Sequence, residues 1–157
     1  QIEFTKFYQD IGVNAPKWQD AGAIIHEAAG QLILPSIDMQ ITVQNVEIFA
    51  DPLIVKVFFN LMENSLRHGE RVTRMSFASR ETAGGLVITY QDNGAGISAE
   101  DKKKLFRKGF GKHTGLGLFL SREILAITGI TITENGEPGT GVQFEITVPP
   151  GAHRFPC

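Results

Sequence analysis

Between Asp51 and Gly69 the chain holds a segment whose two sides are chemically opposite, and it restricts the fold more than any other stretch. Asp51-Pro52 supplies an N-cap followed by proline at the first helical position, and Gly69 is a suitable C-cap, so a helix is predicted from there to His68. With Asn60 at zero and ~100° per residue, Asn64 falls at about 40°, Arg67 at about 340°, His68 at about 80° and Glu63 at about 300°. Ile54, Val55, Phe58, Phe59, Leu61, Met62, Ser65 and Leu66 fill the opposite arc, which is therefore a core face. The polar arc gathers two amides, a carboxylate, a guanidinium and an imidazole. Amide oxygens are neutral, hard ligands that suit Mg²⁺ beside a phosphate, and Arg67 and His68 are donors for phosphate oxygens. A surface helix also carries a polar face simply to meet water, so this helix alone leaves both readings open.

The surrounding chain supplies the layers. Ile2 to Ile11 has helical spacing, and Asn14-Ala15-Pro16 reads as a turn or linker. Trp18 to Leu34 is predicted as a helix, because Ala21, Ile24, Ile25, Ala28 and Leu32 recur at three and four and Pro35 ends it. Strands are expected at Met39–Val43, Val46–Phe49, Val72–Ser79 and Leu86–Gln91, the last two joined through Gly84-Gly85 in a hairpin. Ser98 caps a short helix, Phe106 to Thr114 is irregular and basic, and Gly115 to Thr128 is a helix with a glycine-rich start. Ile130–Glu134 and Val142–Val148 are the last strands, Pro149-Pro150 closes the domain, and the tail to Cys157 reads as loose. Helices and strands mix without regular βαβ alternation. The prediction is an α+β fold, a two-layer α/β sandwich whose mixed β-sheet is covered on one face by helices. Residues 17–150 form its domain, with 1–16 leading in and 151–157 as a flexible tail.

Composition removes several classes. A net charge of −2 gives no nucleic-acid footprint. The single cysteine, Cys157, excludes a disulfide framework within the chain. The longest apolar stretch, Leu53 to Phe59, is interrupted by Lys56 and falls far short of the ~18 residues of a membrane span. The chain begins Gln1-Ile2-Glu3 without an initiator Met, so it is read as a piece of a longer protein.

Two glycine loops add chemistry. Asp92-Asn93-Gly94-Ala95-Gly96-Ile97 follows a strand; its glycines let backbone approach a ligand, and an Asp at a strand end accepts a hydrogen bond from an exocyclic amine such as adenine offers. Asn-Gly is also an ordinary turn. Gly115-Leu116-Gly117-Leu118 opens a helix, where free N–H groups and the positive dipole end favour phosphate, with Lys108, Lys112 and His113 just upstream. Neither a Walker loop nor a Rossmann fingerprint fits.

Singly weak, these signals are specific in their order. Asn60 to Gly69 resembles the N box of histidine kinases, Asp92 to Ile97 the G1 box, Leu105-Phe106-Arg107-Lys108-Gly109-Phe110-Gly111 the F box, Gly115 to Leu118 the G2 box, and Gly139-Thr140-Gly141 the last glycine box. The resemblance covers roughly residues 20 to 149. It implies the Bergerat ATP-binding fold and two ligands, ATP and Mg²⁺. By resemblance Asn64 ligates Mg²⁺, helped by Asn60. Asp92 accepts the adenine amino group, Gly94 and Gly96 keep that loop open, and Thr140 backs the base through water. Arg67, His68 and Lys112 face the phosphates, and Gly115, Leu116 and Gly117 flank the triphosphate. Phe106 and Phe110 anchor the segment between Ile97 and Gly115 apolarly.

The same resemblance separates reactions. Gyrase-like hydrolases place a glutamate where this chain has Asn60, which favours phosphotransfer to a protein histidine over hydrolysis. A serine kinase of the anti-sigma type and an ATP-binding module without transfer activity are the alternatives. His26-Glu27 is similar to the start of an H box, but Ala28-Ala29-Gly30 follows where the family has a basic residue, Thr and Pro, so His26 reads as a structural or surface histidine. The implied partners are the protein's own dimerisation helices bearing the acceptor histidine, upstream of residues 1–16, and the receiver domain of a response regulator. A cytoplasmic domain is expected, monomeric as a fragment and homodimeric in the full protein.

Overall fold

The computed structural model describes residues 9–34, 36–108 and 117–156. Among the described residues the elements follow one another as β1 (Lys17–Asp20), α1 (Ala21–Gly30), β2 (Asp38–Ile41), β3 (Glu47–Ala50), α2 (Ile54–His68), β4 (Arg74–Thr82), β5 (Gly85–Asp92), α3 (Ala99–Lys102), α4 (Gly117–Ala126), β6 (Thr131–Glu134), β7 (Gln143–Val148) and β8 (His153–Arg154). Five strands make a mixed sheet in the order β2-β4-β5-β7-β6, with β2 and β4 parallel and the other pairs antiparallel. A smaller sheet runs β1-β3-β8. The α+β sandwich expected from the sequence is the observed architecture.

Alternation along the strands builds the core. Met75 and Phe77 of β4, Leu86, Ile88 and Tyr90 of β5, and Phe144, Ile146 and Val148 of β7 are buried on one face. Their neighbours Arg74, Arg80 and Gln91 are exposed on the other. Helix α2 lies on the buried face: its Phe58 meets Phe77 edge-on at 5.7 Å, and Phe77 packs on Tyr90 at 4.7 Å. Of the predicted apolar arc it buries Ile54, Phe58, Leu61, Met62 and Ser65, and it also buries Val57, which lay outside that arc, while Val55 and Phe59 are only partly buried. Leu66 is exposed to solvent. Helix α2 packs between α1 and α4, so its polar arc faces the groove that α4 borders.

Three expectations need correction. The helix predicted from Trp18 begins only at Ala21, because residues 17–20 pair with β3 as a strand and Asp20 caps α1, its Oδ1 accepting from the Ala23 amide at 2.9 Å. Trp18 stacks on Phe49 at 5.3 Å, a contact no helical periodicity reports. Helix α2 starts at Ile54 rather than at Pro52. Asp51 instead closes the turn before it, Oδ1 accepting from Leu53 N at 2.8 Å, while Oδ2 accepts from Gly12 N at 3.0 Å. The chain after Pro150 is tied down: His153 and Arg154 pair with Ile48 and Glu47, and the Arg154 guanidinium sits 4.1 Å over the Trp18 ring. An open backbone edge on β3 and two partners for one arginine outweigh the entropy of a short tail. The helical reading of residues 2–11 lies mostly outside the described residues.

Candidate functional site

Asp92 ends β5, and its side chain falls on the face of Tyr90 and Ile88. It is only 8% exposed. Oδ1 accepts from the amides of Gly94 and Val142, each at 3.0 Å. Oδ2 is buried with no hydrogen-bond partner among the described residues. A buried carboxylate oxygen left unpaired costs about 1–3 kcal/mol or more, so Oδ2 is an acceptor that lacks a donor. Beside Asp92, Tyr90 and Ser65 share a hydrogen bond of 2.6 Å. Burial pushes the Tyr90 phenol up, the Ser65 bond opposes this, and the Asp92 charge adds to the rise. Tyr90 is therefore a neutral strut tying α2 to β5.

The loop after Asp92 is close-packed backbone. Ala95 N donates to the Gly69 carbonyl at 3.0 Å, and Gly139 N donates to the Ala95 carbonyl at 2.7 Å. A Cβ on Gly94 would strike the Gly69 carbonyl. Gly96 takes φ +75°, with the Glu137 and Gly141 carbonyls about the place its Cβ would occupy. Asn93 is a staple rather than a ligand group: its Oδ1 accepts from the Thr73 and Arg74 amides at 2.9 and 3.0 Å. Thr140 is exposed, donates to the Glu137 carbonyl at 2.9 Å, and lines a polar cleft with Arg74, Ser76, Gln91, Asn93 and Asp92. It stands beside Asp92 without touching it through a hydrogen bond.

Along α2 the polar groups differ in their freedom. Asn60 Nδ2 donates to the Gly117 carbonyl at 3.3 Å and to Ser121 Oγ at 3.2 Å, so this amide joins α2 to the start of α4 and keeps only Oδ1 for an ion. Asn64 is half-buried, and its side chain has no hydrogen-bond partner among the described residues. Arg67 pairs with Glu63 at 3.5 Å, an exposed contact worth about 0.3–0.5 kcal/mol that a phosphate readily outcompetes. His68 is exposed. Lys112, Gly115 and Leu116 lie outside the described residues, as does Phe110. Phe106 packs against the core, edge-on to Phe144 at 6.4 Å, with Arg122 over its other side at 5.5 Å. His26 is exposed on α1.

The structure thus brings Asp92, Gly94, Gly96 and Thr140 together at the end of β5, and Asn60, Asn64 and Gly117 along the α2–α4 groove. A Cβ on Gly69 would lie 3.5 Å from Asp92 Oδ2, which places the end of α2 at the mouth of the Asp92 pocket. Sequence reasoning missed Ser121, Ser65 and the Val142 amide. Ser65 sat on the apolar arc as its one polar residue, which was the available signal.

Comparison with known proteins shows the family and the fold. The model of a family described as histidine kinase-, DNA gyrase B-, and HSP90-like ATPase matches residues 50–152. The sensor protein RprX of Bacteroides fragilis is 35% identical over 117 residues, covering 67% of this chain and 22% of that protein. The alginate biosynthesis sensor protein KinB of Pseudomonas aeruginosa is 33% identical over 103 residues, 61% of this chain and 17% of that one. The chain thus spans about a fifth of the length of these curated relatives. Among solved structures, the mycobacterial sensor histidine kinase MprB superposes with a TM-score of 0.74 at 16% identity, covering 85% of this chain and 97% of that one. Full-length ShkA in complex with AMPPNP gives a TM-score of 0.75 at 19% identity, covering 94% and 35%.

Proposed function

Because this chain belongs to the histidine kinase-, DNA gyrase B- and HSP90-like ATPase family, we propose that it binds Mg-ATP and passes the γ-phosphoryl group to a histidine on dimerisation helices outside this sequence, in two-component signalling. The observation that carries the reading is Asp92 Oδ2, a buried acceptor with no partner among the described residues, at the start of a glycine-rich loop. The adenine amino group supplies the donor it lacks. From Gly69 back to Asn64 the helix rises about 7 Å, and to Asn60 a further 6 Å. A nucleotide with its base at Asp92 therefore lies along α2, with its phosphates toward Asn64, Asn60 and the start of α4.

In this reading Asn64 Oδ1 and Asn60 Oδ1 hold Mg²⁺, hard amide oxygens that suit the ion. When bound, Mg²⁺ would supply positive charge against the phosphates. Arg67 exchanges Glu63 for a phosphate, His68 and Lys112 add donors, and Gly115, Leu116 and Gly117 present N–H groups to the triphosphate. Thr140, beside Asp92, steadies the base through water. Asn60 is an amide, which takes no proton from water, where gyrase-like hydrolases place a glutamate. That favours transfer over hydrolysis. Residues 17–150 are then the ATP-binding domain and 1–16 the approach from a dimerisation helix. A receiver domain takes the phosphoryl group onward, the full protein is a homodimer, and the domain works in the cytoplasm. Among the described residues no helix is long and apolar enough to cross a membrane.

Radiolabelled ATP tests this. The chain alone binds ATP, hydrolyses it barely and does not label itself, since catalysis is mostly positioning of a nucleophile that is absent. With the cognate dimerisation helices in trans, labelling appears on histidine, acid-labile and base-stable. Brisk hydrolysis by the chain alone supports a gyrase-like ATPase instead, and acid-stable labelling of a partner supports a serine kinase.

A further inference from the structure

Glu134, the last residue of β6, keeps a carboxylate in the interior: its side chain is 2% exposed. Oε2 accepts from the amides of Gly136 and Gln143, each at 3.1 Å, and so closes the neck of the loop between β6 and β7. Oε1 lies 2.8 Å from Lys102 Nζ, whose side chain is 26% exposed. The same ammonium donates to the Gly136 carbonyl. Lys102 ends α3, the short helix that follows Gly96 almost directly. One cation from the loop after β5 thus grips both the carboxylate and the backbone of the loop before β7.

These two loops are the walls of the Asp92 pocket. They meet at the Val142 amide on Asp92 Oδ1 at 3.0 Å and at the Gly139 amide on the Ala95 carbonyl at 2.7 Å. The Lys102–Glu134 ion pair, with the Lys102–Gly136 hydrogen bond, is a third tie between the two loops. A buried ion pair is a poor way to add stability, because apolar residues of the same volume do as well or better. Its distinct contribution is geometric: the ammonium lies 2.8 Å from Glu134 Oε1 as an ion pair and donates its hydrogen bond to the Gly136 carbonyl, so one group spans both loops. We propose that Lys102 and Glu134 are positioning residues for nucleotide binding, their ion pair setting the separation of the two loops around the base. The inference rests on the ATP reading above.

The test is calorimetric titration of ADP and adenosine into wild type, Lys102→Met, Lys102→Arg and the double variant Lys102→Met/Glu134→Gln, with thermal unfolding of each. Lys102→Met leaves Glu134 buried and unpaired, and its melting temperature falls by several degrees. The double variant keeps an acceptor for Gly136 and Gln143 without a buried charge, so its melting temperature recovers. Affinity for both ligands falls about tenfold in Lys102→Met and stays low in the double variant, a loss of about 1.4 kcal/mol. Lys102→Arg binds close to wild type. Affinity that recovers along with stability in the double variant overturns the proposal, because the pair then acts through folding alone. Unchanged affinity in every variant overturns it as well. A wild type that binds neither ligand removes the ATP reading, and the proposal with it.

Discussion

The Val142 amide donates to Asp92 Oδ1 at 3.0 Å across the end of the sheet, so one oxygen of the carboxylate is occupied by the backbone and the other is left facing the pocket. Asp92 at the end of β5 and Val142, one residue before β7, together orient an acceptor that neither would present alone. The Gly94 amide on the same Oδ1 completes the arrangement.

Asp92→Asn is expected to abolish nucleotide binding while leaving the fold intact. Oδ1 of the amide still accepts from Gly94 and Val142, but Nδ2 replaces Oδ2 and meets the adenine amine donor to donor. The loss is about 1–3 kcal/mol or more for a charged acceptor. Calorimetric titration with ATP measures it, and wild-type affinity in the variant would show that Asp92 does not read the base.

Asn64→Ala is expected to lose Mg²⁺-dependent phosphotransfer far more than adenosine affinity. The amide is half-buried on the helix face away from Asp92 and has no partner among the described residues. Its removal therefore leaves the base pocket untouched. Equal losses for ATP and adenosine would point to damage to α2 itself, which circular dichroism would reveal.

Asn60 is expected to matter before any ligand arrives. Its Nδ2 bonds to Gly117 O and Ser121 Oγ tie α2 to α4. Asn60→Ala and Ser121→Ala should each destabilise the domain by about 1 kcal/mol, with a coupling of at least 0.5 kcal/mol in the double-mutant cycle. Urea unfolding gives these values. Additive effects would mean that the two side chains act independently.

The last strand gives an optical test. Trp18 is the single tryptophan, and Arg154 covers its ring at 4.1 Å while bonding Glu47 at 2.6 Å. Arg154→Ala should expose the indole and shift its emission to longer wavelength, with a stability loss of about 0.5–1 kcal/mol. An unchanged spectrum would show that β8 does not cover Trp18 in solution.

Much of the fold was legible because its signals are local. The apolar arc of α2, the β4–β5 hairpin and the Ser98 cap, whose Oγ accepts from Asp101 N at 3.1 Å, depend on residues a few positions apart. The candidate groups could be named for the same reason: Asp92 at a strand end and two asparagines one turn apart on a helix are short patterns. Their roles in the assembled site were not legible. Asn60 reads as a ligand until Gly117 and Ser121, 57 and 61 positions away, take its amide nitrogen.

The sequence by itself determined the period of most helices and strands, the turns between most of them and the chemical identity of the candidate site. Tertiary structure alone decided that Trp18 enters a strand, that the chain after Pro150 returns to Glu47 across 107 positions, that Asp51 holds Gly12, and that Lys102 finds Glu134. The physical reason is range. Periodicity and capping follow from the backbone geometry of neighbouring residues, whereas a buried charge or an open strand edge is satisfied by whichever group the folded chain brings within reach.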